Sequence, residues 1–286
     1  MISRLAFTFR VYSLLAKPGI IFGNAITTAG GIALALTGPV NFMQVLGILI
    51  GVSLVIGSAC VFNNYIDRKM DEKMVRTRNR PFVKGDVAVI PALFFAGLIG
   101  MLGVLCLVLF GNLLSGAIAS LGFFVYVVLY SSVKYHSVHA TLVGSIAGAI
   151  PPVIGYVAVR GSIDLGALIL FAMIALWQMP HFFAIAAYRL KEYAAASIPV
   201  LPLKRGMYAT KIQMILYIMA LSPGSLMLFF CGYTGYIYLV VASLLGGTWL
   251  WTAIQGFSCR NDTVWARKMF LVSLIVVMGL CGAIPF

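Results

Sequence analysis

The chain has 286 residues, of which 62% are hydrophobic and only 9% are charged. Soluble domains are roughly half apolar and about a quarter charged, so this composition excludes an ordinary soluble protein and indicates a polytopic membrane protein. The formal net charge of +13 could suit nucleic acid, but the basic residues lie between apolar segments and therefore report membrane orientation. We expect no nucleic-acid partner.

Nine apolar stretches are long enough to cross a bilayer, which takes about 20 mostly apolar residues. They cover residues 19–37, 43–65, 89–109, 113–131, 139–158, 165–187, 209–230, 236–255 and 267–285. The sequence therefore predicts an all-α polytopic membrane protein, with nine transmembrane helices around a central cavity that opens toward the cytoplasmic face. Residues 1–286 form one transmembrane domain in this interpretation.

The connections between the predicted helices alternate in charge. Of the 20 Lys and Arg residues, 19 lie before the first helix or near the connections after the even-numbered helices, and only Arg160 lies on the other side. The positive-inside rule therefore predicts a cytoplasmic N-terminus and an external C-terminus. Arg4, Arg10 and Lys17 before an apolar run resemble the start of a signal peptide, but a retained first helix is the simpler expectation.

The end of the second predicted helix carries an unusual set of polar residues. Asn63, Asp67 and Asp71 recur every four residues, so an α-helix places all three on one face. Two carboxylates and an amide are oxygen ligands that suit Mg²⁺ shared with a phosphate group. Carboxylates at the end of a membrane helix are costly unless they are used. The alternative is a solvated loop whose charge only sets the topology.

A second charged segment, Tyr188 to Lys211, follows the sixth predicted helix. It repeats the plan of the first, with a charged turn that includes Arg189 and Glu192 and then a proline-containing return. Two acidic clusters brought together at one face would form a cavity that holds a diphosphate between metal ions, with Arg and Lys balancing its charge. The alternative is two independent topology loops.

Two interior helices carry further candidate residues. The fifth contains Pro151 and Pro152, which predict a kink, and Gly144, Gly148 and Gly155, which allow close helix approach. The sixth contains Trp177, Gln178, Pro180 and His181, which could be a kink with satisfied polar groups or the wall of a pocket. In a pocket, His181 could ligate the metal of a flat aromatic cofactor or hydrogen-bond its edge. After the fourth helix, Lys134 suits a phosphate, and His136 is a less certain candidate.

Several stretches together resemble the UbiA-type intramembrane prenyltransferases. They are LAKPGIIFGN near the start, CVFNNYIDRKMD with the following RTRNRP, PPVIGY, LWQMPHFFAIAAYR and IPVLP, spread over nearly the whole chain. Members of that family have nine transmembrane helices, acidic motifs after helices two and six, and Mg²⁺-dependent binding of an isoprenyl diphosphate. Asn64 and the motifs above are similar to those of one branch of the family, the protohaem IX farnesyltransferases, or haem O synthases. Glu192, where that branch usually has Asp, and Tyr135, where a second basic residue is common, depart from the pattern.

The resemblance implies transfer of a farnesyl group from farnesyl diphosphate to a vinyl group of haem B, with water addition, giving haem O and diphosphate. It assigns Mg²⁺ binding and catalysis to Asn63, Asp67, Asp71 and Glu192. It assigns diphosphate binding to Arg76, Arg80, Lys134 and Arg189. It assigns the haem side to Trp177, Gln178 and His181, with His136 as a further candidate. It also implies a multi-pass protein of a bacterial inner membrane, whose product passes to a terminal oxidase or a haem A synthase.

Other functions remain open on the sequence. The acceptor could be a quinone precursor or a chlorophyll-type molecule rather than haem. A transporter also suits nine spans and a polar cavity, but transporters tend to place ionisable groups near the bilayer midplane between inverted repeats, whereas here the charges lie at one face. A haem-binding or oxidase assembly protein would retain haem without turning it over.

Overall fold

The computed structural model describes residues 10–286, and every regular element in that range is a helix. Nine of these helices are long and apolar enough to cross a membrane, which confirms the predicted spans for the described residues. Arg4 lies outside those residues. The nine helices are α1 (Pro18–Ala35), α2 (Phe42–Asp71), α3 (Val89–Phe110), α4 (Leu113–Val133), α5 (Ala140–Arg160), α6 (Leu165–Tyr188), α7 (Leu201–Phe230), α8 (Tyr236–Phe257) and α9 (Asp262–Ala283).

Helix α2 extends further than its apolar composition predicts. The predicted span ends at residue 65, whereas the helix continues without interruption to Asp71. Its start is fixed by Asn41, whose side chain accepts a hydrogen bond from the backbone N–H of Gln44, and Asn is a favoured residue at this position. The extra turns keep the whole Asn63–Asp71 stretch helical. The expectation that its polar side chains share one helix face is therefore confirmed.

Small residues bring α1 and α5 into backbone contact. A Cβ atom on Gly31 would lie 2.0 Å from the carbonyl oxygen of Pro152, and one on Gly155 would lie 2.3 Å from that of Thr28. No side chain fits at either position, so the predicted close approach at Gly155 is confirmed. Such small-residue contacts let membrane helices pack tightly without a hydrophobic driving force between them. They fix two of the helices that surround the cavity described below.

Three membrane helices are interrupted at identifiable positions. The predicted kink in α5 is confirmed, because the helix breaks at Ala149, just before the proline pair that begins at Pro151. In α7, Gly206 adopts φ 78° and divides the element in two. In α4, a six-residue π-helical stretch, Val125–Tyr130, widens the backbone turn shortly before Lys134. Such π-helical insertions are frequent at functional sites.

Candidate functional site

A cavity of about 1100 Å³ lies inside the bundle, and its walls come from α1, α2, α4, α5, α6 and α9. Ligand pockets are usually about 300–1,000 Å³, so this one has room for more than one substrate group. Its polar residues gather where α2, α4 and α6 end, which we call the polar end of the bundle. Phe22 of α1 and Met278 of α9 line the cavity and are 66% and 51% exposed, so the cavity is not sealed from the outside of the bundle at these residues.

The acidic face of α2 points into this cavity. Asn63, Asp67 and Asp71 all line it and are only 2%, 3% and 1% exposed. Carboxylates this deeply buried need charged or hydrogen-bonding partners, because burial of an isolated charge is very costly. Both have them, since Lys134 lies 2.5 Å from Asp67 and Arg80 lies 2.5 Å from Asp71. The structure thus brings together acids and cations that are up to 67 residues apart in sequence.

The end of α4 supplies two partners to Asp67. Lys134 binds one carboxylate oxygen, and the hydroxyl of Tyr135 donates to the other. Burial alone would lower the pKa of Lys134, but the neighbouring Tyr130 and Asp67 raise it, so the ammonium group stays charged. Tyr135 thus contributes an uncharged hydrogen-bond donor at a position where the family that the sequence resembles commonly has a second basic residue.

Lys17 is a cavity residue that the sequence reasoning missed. Its ammonium group donates to Oδ1 of Asn63 at 3.2 Å, and burial lowers its pKa to about 8. Among residues 10–286, it is the cation lining the cavity that has no carboxylate within 4 Å. Its φ of 55° is unusual for a non-glycine residue, and such strained positions cluster at functional sites. In the sequence, the one feature that sets Lys17 apart is its position directly before Pro18, the first residue of α1. The count of positive charges by connection instead assigned Lys17 to membrane orientation.

The donor set on α2 fits a magnesium ion that is shared with a substrate. Within residues 10–286, no three Cys, His, Asp or Glu side chains form a group that could hold a metal alone. Mg²⁺ does not need such a cage, since it is usually bound by one or two carboxylates together with substrate phosphates and water. The buried side-chain nitrogen of Asn63 has no hydrogen-bond partner, which leaves a donor free for a phosphate oxygen.

The structure differs from the prediction at Glu192, which is not among the residues that line the cavity. Its Oε1 accepts a hydrogen bond from Arg189 at 2.9 Å, and its Oε2 lies 3.8 Å from Nε of Arg76. Arg189 directly precedes the short helix Leu190–Ala195, and Glu192 follows it by three residues on the same face. The two side chains therefore pair with each other, and the carboxylate of Glu192 is held at Arg189. Arg76 and Arg189 do line the cavity. The second polar segment therefore presents the guanidinium of Arg189 to the cavity rather than the carboxylate of Glu192.

An aromatic wall lies on the α6 side of the cavity. Trp177 and His181 both line it and stack with ring centroids 4.6 Å apart. The indole N–H of Trp177 donates to the backbone carbonyl of Ser273, and Nδ1 of His181 lies 2.7 Å from the Ser273 hydroxyl. That hydroxyl donates to the carbonyl of Phe270, so it accepts from the N–H at Nδ1. The other ring nitrogen, Nε2, then keeps its lone pair.

Gln178 also lines the cavity, and its side-chain nitrogen donates to the backbone carbonyl of Ser145 at 3.2 Å. The predicted close approach at Gly148 is confirmed here, because a Cβ atom at that position would lie 2.1 Å from Oε1 of Gln178. His136, by contrast, is exposed and is not among the lining residues. The structure therefore groups three of the four expected haem-side residues and leaves His136 apart.

Comparisons with known proteins agree with this geometry. The model of the UbiA prenyltransferase family matches residues 24–275. The chain is 49% identical to a protoheme IX farnesyltransferase of Edwardsiella ictaluri and 50% identical to one of Citrobacter koseri, with 94% and 95% of this chain and 91% and 92% of those proteins covered. A solved UbiA homologue from Archaeoglobus fulgidus, bound to GPP and Mg²⁺, superimposes with a TM-score of 0.69 at 14% identity, covering 96% of this chain and 99% of that one.

Proposed function

The chain belongs to the UbiA prenyltransferase family, and from that premise we propose that it farnesylates haem B and adds water, giving haem O and diphosphate. The observation that carries the proposal is the near-half identity, over almost the full length of both chains, to proteins named protoheme IX farnesyltransferase. The nine apolar helices and the family make it a multi-pass membrane protein. Its relatives are bacterial, which supports a place in the bacterial inner membrane.

The polar end of the cavity binds the diphosphate of farnesyl diphosphate in this proposal. Arg76, Arg80, Lys134 and Arg189 all line the cavity and offer positive charge to its oxygens. Lys17 adds a fifth cation. Unlike the other four, it is not paired with a carboxylate in the described part of the chain, so no ion pair has to break before it binds a phosphate oxygen. When the farnesyl carbon–oxygen bond breaks, its electron pair leaves with the diphosphate. Cations fixed in advance around that leaving group stabilise the developing charge at little reorganisation cost.

Asn63, Asp67 and Asp71 would hold Mg²⁺, which supplies further neutralisation of the diphosphate charge when it is bound. A solved member of the family carries this metal together with a prenyl diphosphate. Lys134 and Arg80 pair with the two carboxylates of this set. The same cations can then turn toward phosphate oxygens once another positive charge balances the acids. Glu192 instead holds Arg189 and Arg76 in position.

The acceptor lies against the aromatic wall in this proposal. Trp177 and His181 offer stacked flat faces, and Gln178 lies beside them. A vinyl group of haem B attacks the allylic farnesyl carbon, so a carbon–carbon bond forms and the positive charge moves onto the porphyrin side chain. Water then adds to that cation and loses a proton. The apolar remainder of the cavity holds the farnesyl tail and keeps water away until the carbon–carbon bond has formed.

The test is product identification in proteoliposomes that contain the purified chain. With farnesyl diphosphate, haem B and Mg²⁺, we expect a porphyrin product whose mass has increased by one farnesyl group and one hydroxyl group. Addition of EDTA should abolish the product, and excess Mg²⁺ should restore it. Haem retained without change in mass would indicate a haem-binding or assembly protein instead, and the proposal would then be wrong.

The same assay separates the other acceptors. A quinone precursor and a chlorophyll-type acceptor are each offered in place of haem B, and prenylation of either at a higher rate would reassign the enzyme within its family. The product is hydrophobic and stays in the lipid bilayer, so we propose that a membrane protein, such as a terminal oxidase or a haem A synthase, receives it. Crosslinking in native membranes would test that contact.

A further inference from the structure

A second recess adjoins the main cavity at the polar end. It has a volume of about 500 Å³ and is lined by Tyr188, Arg189, Thr263, Arg267, Phe270 and Leu271. Three of these residues, Tyr188, Arg189 and Phe270, also line the main cavity. The recess therefore continues the aromatic side of the main cavity outward, between the end of α6 and the start of α9.

The recess carries uncompensated positive charge. Arg267 is exposed, and no carboxylate among residues 10–286 lies within 4 Å of it. The neighbouring acids are already engaged, because Glu192 binds Arg189 at 2.9 Å and Asp262 binds Lys211 at 2.5 Å. Arg189 uses Nε and Nη1 for Tyr188 and Glu192, which leaves Nη2 available. Two guanidinium groups can therefore bind an external anion here.

A continuous series of rings joins this charge to the buried histidine. The ring centroids of His181 and Phe270 are 5.1 Å apart, and those of Phe270 and Tyr188 are 5.7 Å apart. The guanidinium of Arg189 lies 4.8 Å from the centroid of the Tyr188 ring. A ligand that fits this arrangement is flat and aromatic in the cavity and carries an anionic group at its outer edge.

We propose that the recess is the binding site for the propionate carboxylates of the porphyrin, with Arg267 as the carboxylate-binding residue and Arg189 at the boundary between this recess and the diphosphate site. This inference rests on the proposed function, which makes haem B the acceptor. It adds an orientation, since carboxylates at the recess turn the opposite edge of the macrocycle toward the cavity interior. A free carboxylate is then a specificity requirement, and the enzyme discriminates against porphyrins that lack one.

The test compares haem B with its dimethyl ester, which keeps the macrocycle and both vinyl groups but has no carboxylates. Binding to the purified full-length protein is followed by titration of the haem absorbance, and it needs no turnover. We expect Arg267→Ala to weaken haem B binding about tenfold, the loss typical of one charge-assisted contact, and to leave ester binding unchanged. Arg267→Lys keeps the charge without the planar fork and should recover part of the affinity.

Lys268→Ala is the matched control, because Lys268 is the next residue, is exposed, and bonds to Gln255 outside the recess. It should leave both affinities unchanged. If Arg267→Ala weakened both ligands equally, or neither, the carboxylate site would be overturned, and an anionic lipid headgroup would be the better occupant in the second case. A wild-type protein that binds haem B but yields no farnesylated product would contradict the proposed function, while the titration would still decide the recess.

Discussion

The polar segments that follow α2 and α6 have similar sequences of charge but opposite arrangements in space. At the end of α2, the acids face inward, and Asp67 and Asp71 are 3% and 1% exposed inside the cavity. After α6, the acid is turned away, and Glu192 pairs with Arg189 of its own segment and with Arg76 of the turn that follows α2. The end of α2 thus presents carboxylates to the cavity, whereas the segment after α6 presents the guanidinium of Arg189.

This difference suggests a division of work at the polar end. A diphosphate needs positive charge on all sides, and a second carboxylate cluster in the cavity would add repulsion unless another metal ion accompanied it. The acids of α2 can be balanced by one shared metal, while the segment after α6 contributes the guanidinium of Arg189, which needs no metal. We therefore expect substitutions in the first segment to have much larger effects than those in the second.

The largest effect is expected for Asp67→Asn. The change keeps the shape and one hydrogen-bond acceptor but removes the charge that faces Lys134 and the proposed metal. Loss of one preorganised electrostatic group at a reacting centre typically lowers kcat by about 10²–10³-fold, and we expect a loss of that size. The measurement is the rate of haem O formation in proteoliposomes. Asp86→Asn removes an exposed acid outside the cavity and should leave the rate unchanged.

Lys17→Met should have the next largest effect, on substrate binding. It removes the cation whose ammonium group bonds Asn63 and that has no carboxylate of its own. We expect the KM for farnesyl diphosphate to rise about tenfold, as for the loss of one charge-assisted hydrogen bond to a phosphate. Arg10→Met is the matched control, because Arg10 is exposed and precedes the same helix. Equal KM values for the two variants would show that Lys17 acts only in topology.

These two residues also show what the sequence could and could not predict. The spacing from Asn63 to Asp71 was sufficient to place three side chains on one face, because helix geometry alone fixes that relation. The nine spans and the break in α5 followed from composition and from the proline pair. Lys17 could not be assigned in this way, since its place in the cavity depends on a backbone conformation with φ 55° that no local pattern predicts.

The same limit applies to the ends of α4 and α6. The bond between Tyr135 and Asp67 joins residues 68 positions apart, and it depends on where the π-helical stretch ends. The orientation of Glu192 depends on a six-residue helix and on its pairing with Arg189 and Arg76, the second of which comes from another part of the chain. In both cases the sequence names chemically capable residues, but tertiary packing decides which of them face the substrate.

Tyr135→Phe should have a smaller effect that sharpens the contrast between the segments. It removes one hydrogen bond to Asp67 and leaves the ion pair with Lys134 intact. A hydrogen bond to a charged group is worth about 1.5–3 kcal/mol, but Asp67 keeps its charge and its partner Lys134, so we expect kcat to fall about tenfold at most. The control is Tyr208→Phe, at a residue that is 69% exposed. A loss as large as that of Asp67→Asn would mean that the Tyr135 hydroxyl takes part in the reaction itself.

The smallest effect is expected for Glu192→Gln. The amide oxygen of Gln can still accept a hydrogen bond from Arg189, and partly exposed ion pairs contribute about 0–1 kcal/mol. We therefore expect kcat to change by less than about threefold, with the same Mg²⁺ concentration dependence as the wild type. Glu192→Asp is the companion variant, since it keeps the charge on a shorter side chain. If Glu192→Gln instead shifted the Mg²⁺ dependence and lost activity as Asp67→Asn does, then Glu192 must turn into the cavity when substrate binds. Both segments would then supply a carboxylate to the metal site of the working enzyme.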